Sequence, residues 1–179
     1  MSNQKTKWVL DPTHSELTFR VKHLMISNVK GEFRKFEAAV LSDGDDFSNA
    51  EVSAVIDASS IDTNNNDRDN HLRSDDFFGA DDHPQLTFKS TELNKLDEDN
   101  YQLKGLLQIK GVENEVILDV DYGGMMKDPY GNKKAGFTVS GKINRKDWGL
   151  NWNTALETGG VLVSDEVRIN AEIQLVQEQ

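Results

Sequence analysis

Apolar and polar residues alternate with a period of two along most of the chain, which is the signature of strands with one wet and one dry face. In residues 15–23, Leu17, Phe19 and Val21 alternate with Glu16, Thr18, Arg20 and Lys22. Ala50, Val52, Ala54 and Ile56 share a face, as do Leu86 and Phe88. Tyr101, Leu103, Gly105, Leu107 and Ile109 make a further row, followed by Val116, Leu118, Val120 and Tyr122. Ala135, Phe137, Val139, Gly141 and Ile143 come next, and Val167, Ile169, Ala171, Ile173 and Leu175 close the series. Residues 30–41 look extended as well, with a broken pattern. Turn chemistry separates the rows at Ser42-Asp43-Gly44-Asp45, at residues 97–100 and at Pro129-Tyr130-Gly131-Asn132.

One-sided rows belong to antiparallel sheets. About eight of them in one chain favour an all-β, closed antiparallel barrel, because closure removes exposed edges. A two-sheet sandwich is the alternative. The segment 63–78, TNNNDRDNHLRSDDFF, has no period-two row, opens on cap-type residues and spaces Asp67 from His71 and Arg68 from Leu72 by one helical turn. It predicts one short helix lying over the barrel or one of its mouths.

The chain is 179 residues long, which suits one domain, read here as a polar tail over 1–7 and a barrel over 8–179. Its formal charge of −11 argues against a nucleic-acid partner, since an acidic surface repels phosphate. There is no cysteine, which excludes disulfides, thiol catalysis and cysteine-bound zinc. No apolar run approaches the ~18 residues of a membrane span. Residues 1–7 lack an apolar signal-peptide core, so the expected location is cytoplasmic, or periplasmic if a leader has been removed. A homodimer is left open.

Small residues recur among the large ones in the apolar rows: Ala50, Ala54, Gly105, Ala135, Gly141 and Ala171. They predict either an elongated dry cavity or close backbone packing and bends. The histidines His14, His23, His71 and His83 form no tight ligand pair, and no metal or other cofactor is expected. His23 continues the row of Leu17, Phe19 and Val21 and is expected to point inward. An Asp67–His71 pair would orient the imidazole and raise its basicity, but neither a nucleophile motif nor a phosphate or dinucleotide fingerprint accompanies it. Trp148 and Trp152 follow the row ending at Ile143, as a plug or as the lining of a mouth.

Taken in order, WVLDPTHSELTFRVKHL, DRDNHLRSDDFF, HPQLTFKS, GLLQIKGVENEVILDV, FTVSGKINRKDWGLNW and DEVRINAEIQL resemble the YceI-like family of lipocalin-like proteins, over nearly the whole chain from Trp8. The resemblance implies an extended barrel of about eight antiparallel strands around a polyisoprenoid-type chain, and it implies binding, with no catalytic residue to carry over. On that reading the ligand-binding candidates are His14, His23, Asp67, Arg68, His71 and Arg145 at motif positions, Phe19, Phe77, Phe88 and Phe137 as aromatics, and Val21, Gly105 and Ala171 in the inward rows. Arg68, His71 or Arg145 is expected to meet the ligand headgroup. Such a carrier holds an isoprenoid quinone or polyprenyl lipid, each buried methylene contributing about 0.8 kcal/mol. Two readings compete with it: an enzyme acting on a similar amphiphile through Asp67–His71 or Arg145, and a stress-related protein of unknown ligand.

Overall fold

The structure, a computed structural model, describes residues 5–153 and 163–178. Its strands are β1 (Thr6–Leu10), β2 (Glu16–His23), β3 (Ser27–Phe33), β4 (Phe36–Asp43), β5 (Asp46–Asp57), β6 (Ile61–Asp62), β7 (Gln85–Lys95), β8 (Asn100–Ile109), β9 (Val112–Lys127), β10 (Lys133–Asn144) and β11 (Glu166–Gln177). One helix, α1 (Asn66–Arg73), falls between β6 and β7, inside the segment where helical spacing predicts it. Every pairing is antiparallel, and β1-β4-β5-β7-β8-β9-β10-β11 closes on itself through β1 and β11. That ring of eight is the closed barrel read from the alternation.

β11 is long enough to serve two partners on one flank. Its C-terminal part pairs with β1 and its N-terminal part with β2, from which β3 and β6 extend the wall. The broken pattern over 30–41 is explained by this arrangement: Arg34 and Lys35 separate β3 from β4. Thr6 and Lys7, expected in the polar tail, belong instead to β1, where Lys7 stands opposite Leu41.

The alternating rows all turn inward, and their buried members form one core from Trp8 to Leu175. The two ends of the barrel differ. At one, the turns between β4 and β5, β7 and β8, and β9 and β10 surround an aromatic group. Trp8 is fully buried, donates its indole N–H to Ser42 Oγ at 2.9 Å, and lies 5.2 Å from the Phe47 ring. Phe47 in turn meets Phe137 at 5.0 Å and Tyr122 at 6.0 Å. The other end carries α1, the β2–β3 hairpin and the 3-10 turn over Arg145–Trp148.

α1 begins where Asn65 Oδ1 accepts the Arg68 N–H at 3.0 Å, and acidic Asp67 and Asp69 in its first turn complement the helix dipole. Asp69 is buried because it accepts both the N–H and the hydroxyl of Thr63, at 2.8 and 2.6 Å. Arg73 latches the last turn to the wall, donating to the carbonyls of Ser59 and Ile61.

A 3-10 turn over Pro12–His14 joins β1 to β2 and is capped by Asp11, whose carboxylate accepts the Thr13 N–H at 3.0 Å and the Thr13 hydroxyl at 2.7 Å. His14 Nδ1 and Lys134 Nζ reach the same carboxylate at 2.9 and 3.0 Å. These bonds, the Thr13 hydroxyl first, hold the Asp11 carboxyl below the usual carboxylate range against the opposing effect of burial. A depressed folded-state value stabilises the fold above the unfolded value near ~3.9 and is lost as the pH falls from there through the folded value. Asp11→Asn keeps an acceptor for Thr13 but removes the charge beside Lys134. It is expected to cost about 1–2 kcal/mol at neutral pH, measured by urea unfolding, and the gap to the wild type should begin to narrow below about pH 4.

Candidate functional site: an apolar cavity with one polar mouth

The inward rows do not fill the barrel. They leave an internal cavity of about 610 Å³, within the range of small-molecule sites. Along β11 its wall runs from Val167 to Leu175, roughly 27 Å at ~3.4 Å per residue, so the space is long rather than round. Phe47, Tyr101, Val40 and Leu175 bound it toward the aromatic end. Lys22, His23, Thr63, Asp67, Arg68, His71 and Arg145 line it at the helix end, and the exposure of Lys22, Asp67 and Arg68 places the opening there.

Eleven of the thirteen candidates line this cavity: Phe19, Val21, His23, Asp67, Arg68, His71, Phe77, Phe88, Phe137, Arg145 and Ala171. The other two are corrected. His14 lies on the outside of the barrel in the Asp11-capped turn, because its ring nitrogen is drawn to the Asp11 carboxylate. Gly105 faces inward, but the Phe88 ring lies over its Cα and the Lys89 carbonyl is 2.7 Å from where a Cβ would stand. The gap expected at Gly105 is therefore occupied by Phe88. Gly31 receives the Phe19 ring and Gly141 receives Leu118 in the same way. The alternative offered by the small residues is thus answered position by position: these glycines seat neighbouring side chains, Ala54 and Ala171 lie on the cavity wall, and Ala50 and Ala135 are buried in the core away from it.

Two expectations about the polar groups, those for His71 and Arg145, also change. His71 does not pair with Asp67: its Nε2 lies 2.9 Å from Asp76 Oδ2, across the turn that follows α1. The His71 ring stands edge-on to Trp152 at 4.6 Å and to Phe77 at 5.1 Å, so it is held from three sides. Among the described residues Arg68 pairs with no carboxylate; it donates to the hydroxyl and the carbonyl of Thr63, each at 2.6 Å. Arg145 is buried and already occupied, donating to the carbonyls of Ser164, Leu150, Trp152 and Val163 and lying 3.9 Å from Asp165. Burial pushes its guanidinium below the ordinary value, which Asp165 partly opposes. Arg145 is the knot that ties residues 150–152 to Val163, which bridges to His23. Its commitment to four carbonyls removes it from the expected headgroup and acid–base roles.

The two tryptophans divide the plug and the lining between them. Trp148 is buried and donates to the Leu107 carbonyl at 2.8 Å, whereas Trp152 lines the mouth beside His71 and Phe77. Thr63 and Lys22 are mouth residues outside the ligand-binding candidates, and so is Trp152, which the sequence offered as plug or mouth lining. The Trp148–Trp152 spacing was a signal for one of them; Thr63 and Lys22 carried none.

Eight antiparallel strands closed around a dry, elongated cavity with polar side chains at one end define a lipocalin-like barrel. The chain belongs to the YceI-like domain family, whose model matches residues 8–175. It is 45% identical to a UPF0312 protein of Staphylococcus epidermidis over 170 residues, covering 94% of this chain and 96% of that one. Among solved structures it resembles the YCEI protein of Campylobacter jejuni, at 36% identity and a TM-score of 0.75 over 88% of this chain and 90% of that chain. It shares the fold of a polyisoprenoid binding domain from Saccharophagus degradans implicated in plant cell wall breakdown, at 16% identity and a TM-score of 0.71 over 96% and 98% of the two chains. No helix among the described residues is long and apolar enough to cross a membrane.

Two measurements follow from this geometry. Ala171→Leu projects into the cavity and is expected to displace a fluorescent apolar probe with little loss of melting temperature, whereas Gly105→Leu is expected to cost about 1–3 kcal/mol by collision with Phe88. Equal loss of melting temperature in both would mean that Ala171 is packed wall, not cavity surface. Arg145→Met leaves buried carbonyls without donors and should destabilise the fold by about 3 kcal/mol or more in chemical denaturation.

Proposed function

We propose that this protein binds and carries a long isoprenoid, a quinone or polyprenyl-type lipid, with the tail in the barrel and the headgroup at the helix end. The observation that carries this reading is the shape and chemistry of the cavity: long, lined almost wholly by apolar side chains, with its charged and histidine side chains gathered at the mouth. A flexible apolar tail offers no directional bonds, so affinity comes from burial and orientation from the polar tip. At the mouth, Arg68, His71, Asp67 and His23 are the groups placed to meet a headgroup. Arg68 and His71 are held by Thr63 and by Asp76 and Trp152, which pre-orients them. The shared fold with a polyisoprenoid binding domain supports the same class of ligand.

Binding is favoured over turnover because the polar groups of the mouth are engaged in positioning one another. His71 has a carboxylate partner, but no serine or threonine hydroxyl stands within hydrogen-bond distance of its ring among the described residues. Among the described residues His71 thus has a carboxylate partner but no nucleophile to activate, which supports binding.

Mass spectrometry of organic extracts from natively purified protein tests the ligand class; an apolar chain with a single polar end is expected, and a hydrophilic metabolite would refute the reading. Alanine substitution at Arg68 and at His71, with affinity measured for a quinone and for the matching bare hydrocarbon, tests the headgroup. A selective loss of roughly fivefold or more for the headed ligand is expected at one of the two positions, as for loss of one hydrogen bond to a charged or polar group. Equal losses for both ligands would make these residues structural.

A further inference from the structure

The hairpin between β2 and β3 has an unusual tip. Leu24, Met25 and Ile26 occupy it, and Met25 and Ile26 are 61% and 84% exposed. The Ile26 N–H bonds to the His23 carbonyl at 3.2 Å, closing a tight turn in which Leu24 and Met25 have φ of 54° and 63°. Two consecutive left-handed residues are the mark of a turn that favours Asn-Gly. Here the chain places two large apolar side chains where both conformation and solvation disfavour them. None of the three belongs to the core among the described residues: Met25 and Ile26 are mostly in solvent, and Leu24 is 38% exposed.

Behind the tip lies a second anomaly. On the outer face, Lys142 of β10 stands opposite Arg168 of β11, Arg168 opposite Arg20 of β2, and Arg20 opposite Lys30 of β3. Four exposed cations thus form one row across four adjacent strands of a chain whose net charge is −11. Like charges placed directly opposite are destabilising. Only Arg168 has an acidic partner among the described residues, Glu166 at 3.5 Å. Lys22, with no ion pair among the described residues, lies between the row and the tip. The acidic residues Asp75, Asp76, Asp81 and Asp82 sit on the connection from α1 to β7, outside this row, and Glu166 and Glu32 flank it two residues from Arg168 and Lys30.

Apolar tip, basic row and cavity mouth are contiguous: Lys22 and His23, which line the mouth, are the last two residues before the tip. An exposed apolar wedge flanked by cations matches a bilayer with anionic headgroups, the wedge entering the acyl boundary and the cations meeting phosphate. We propose that the β2–β3 tip and the Lys142–Arg168–Arg20–Lys30 row dock this protein on an anionic lipid bilayer, with the cavity mouth against the membrane. The carrier reading supplies the purpose of such docking, and the docking itself is measured separately.

Flotation of the whole protein with vesicles tests it, using phosphatidylcholine alone and phosphatidylcholine mixed with phosphatidylglycerol. Binding to the anionic vesicles, weakened by salt, is expected, with little binding to the neutral ones. Leu24→Asn with Met25→Gly installs the residues that the turn geometry favours. This variant should melt higher than the wild type yet bind anionic vesicles at least about tenfold more weakly. Arg20→Gln with Lys30→Gln should weaken binding about fivefold per cation removed. Absence of binding to anionic vesicles, or binding unchanged in both variants, overturns the proposal. So does a wild-type dimer in sedimentation velocity that the tip variant converts to monomer, since the surface would then cover a second copy of this chain. A wild type that binds isoprenoid but no anionic vesicle refutes docking alone, and one that binds anionic vesicles but no isoprenoid refutes the carrier reading alone.

Discussion

The barrel depends on a short seam. β1 meets β11 through Trp8 opposite Gln177, Val9 opposite Val176 and Leu10 opposite Leu175, and that contact turns a sheet into a tube. Closure satisfies the backbone of every wall strand through its neighbours, so the interior need not supply hydrogen bonds. Because the wall holds itself together, the inside can stay partly unfilled, which a two-layer sandwich cannot tolerate at the same depth. The seam brings together the first and last strands of the chain. The cavity is thus a property of the whole domain and belongs to no part of it.

Within the wall, glycine and aromatic residues set the bore. Phe88 lies over Gly105 and Phe19 over Gly31, so rings that would otherwise stand across the lumen lie back against bare backbone. The result is a lumen lined by ring faces and aliphatic ends and kept open by residues without side chains. A polar rim follows from the same economy. The helix end is the polar one, where α1 places Asp67, Arg68 and His71 around the opening beside Trp152.

The fold was largely legible because alternation is a local signal: Val167 to Leu175 alternates with Arg168 to Gln174 whatever the neighbouring strands do. The helix was legible for the same reason, as a stretch that breaks the period. The wall was legible where side chains follow the period, as at Phe19, Val21, His23, Phe88, Phe137 and Ala171, and the mouth residues Asp67, Arg68, His71 and Phe77 were reached through the motif resemblance instead. Gly105 misled because its occupant comes from β7, a cross-strand neighbour that composition does not reveal. Arg145 misled because a buried guanidinium and a ligand-facing one look alike until the carbonyls around it are known. The basic row was hidden for a related reason: Lys30, Arg20, Arg168 and Lys142 are scattered along the chain and become a row only through register.

The aromatic group of Trp8, Phe47, Tyr122 and Phe137 gives the tube a closed far end. A blind bore imposes an order on traffic. On the carrier reading proposed above, the tail enters first and leaves last, and the headgroup is the part that both donor and acceptor encounter. Exchange is then single-file and polar-end-out, so whatever loads this protein and whatever empties it must approach the same doorway, one after the other and never together.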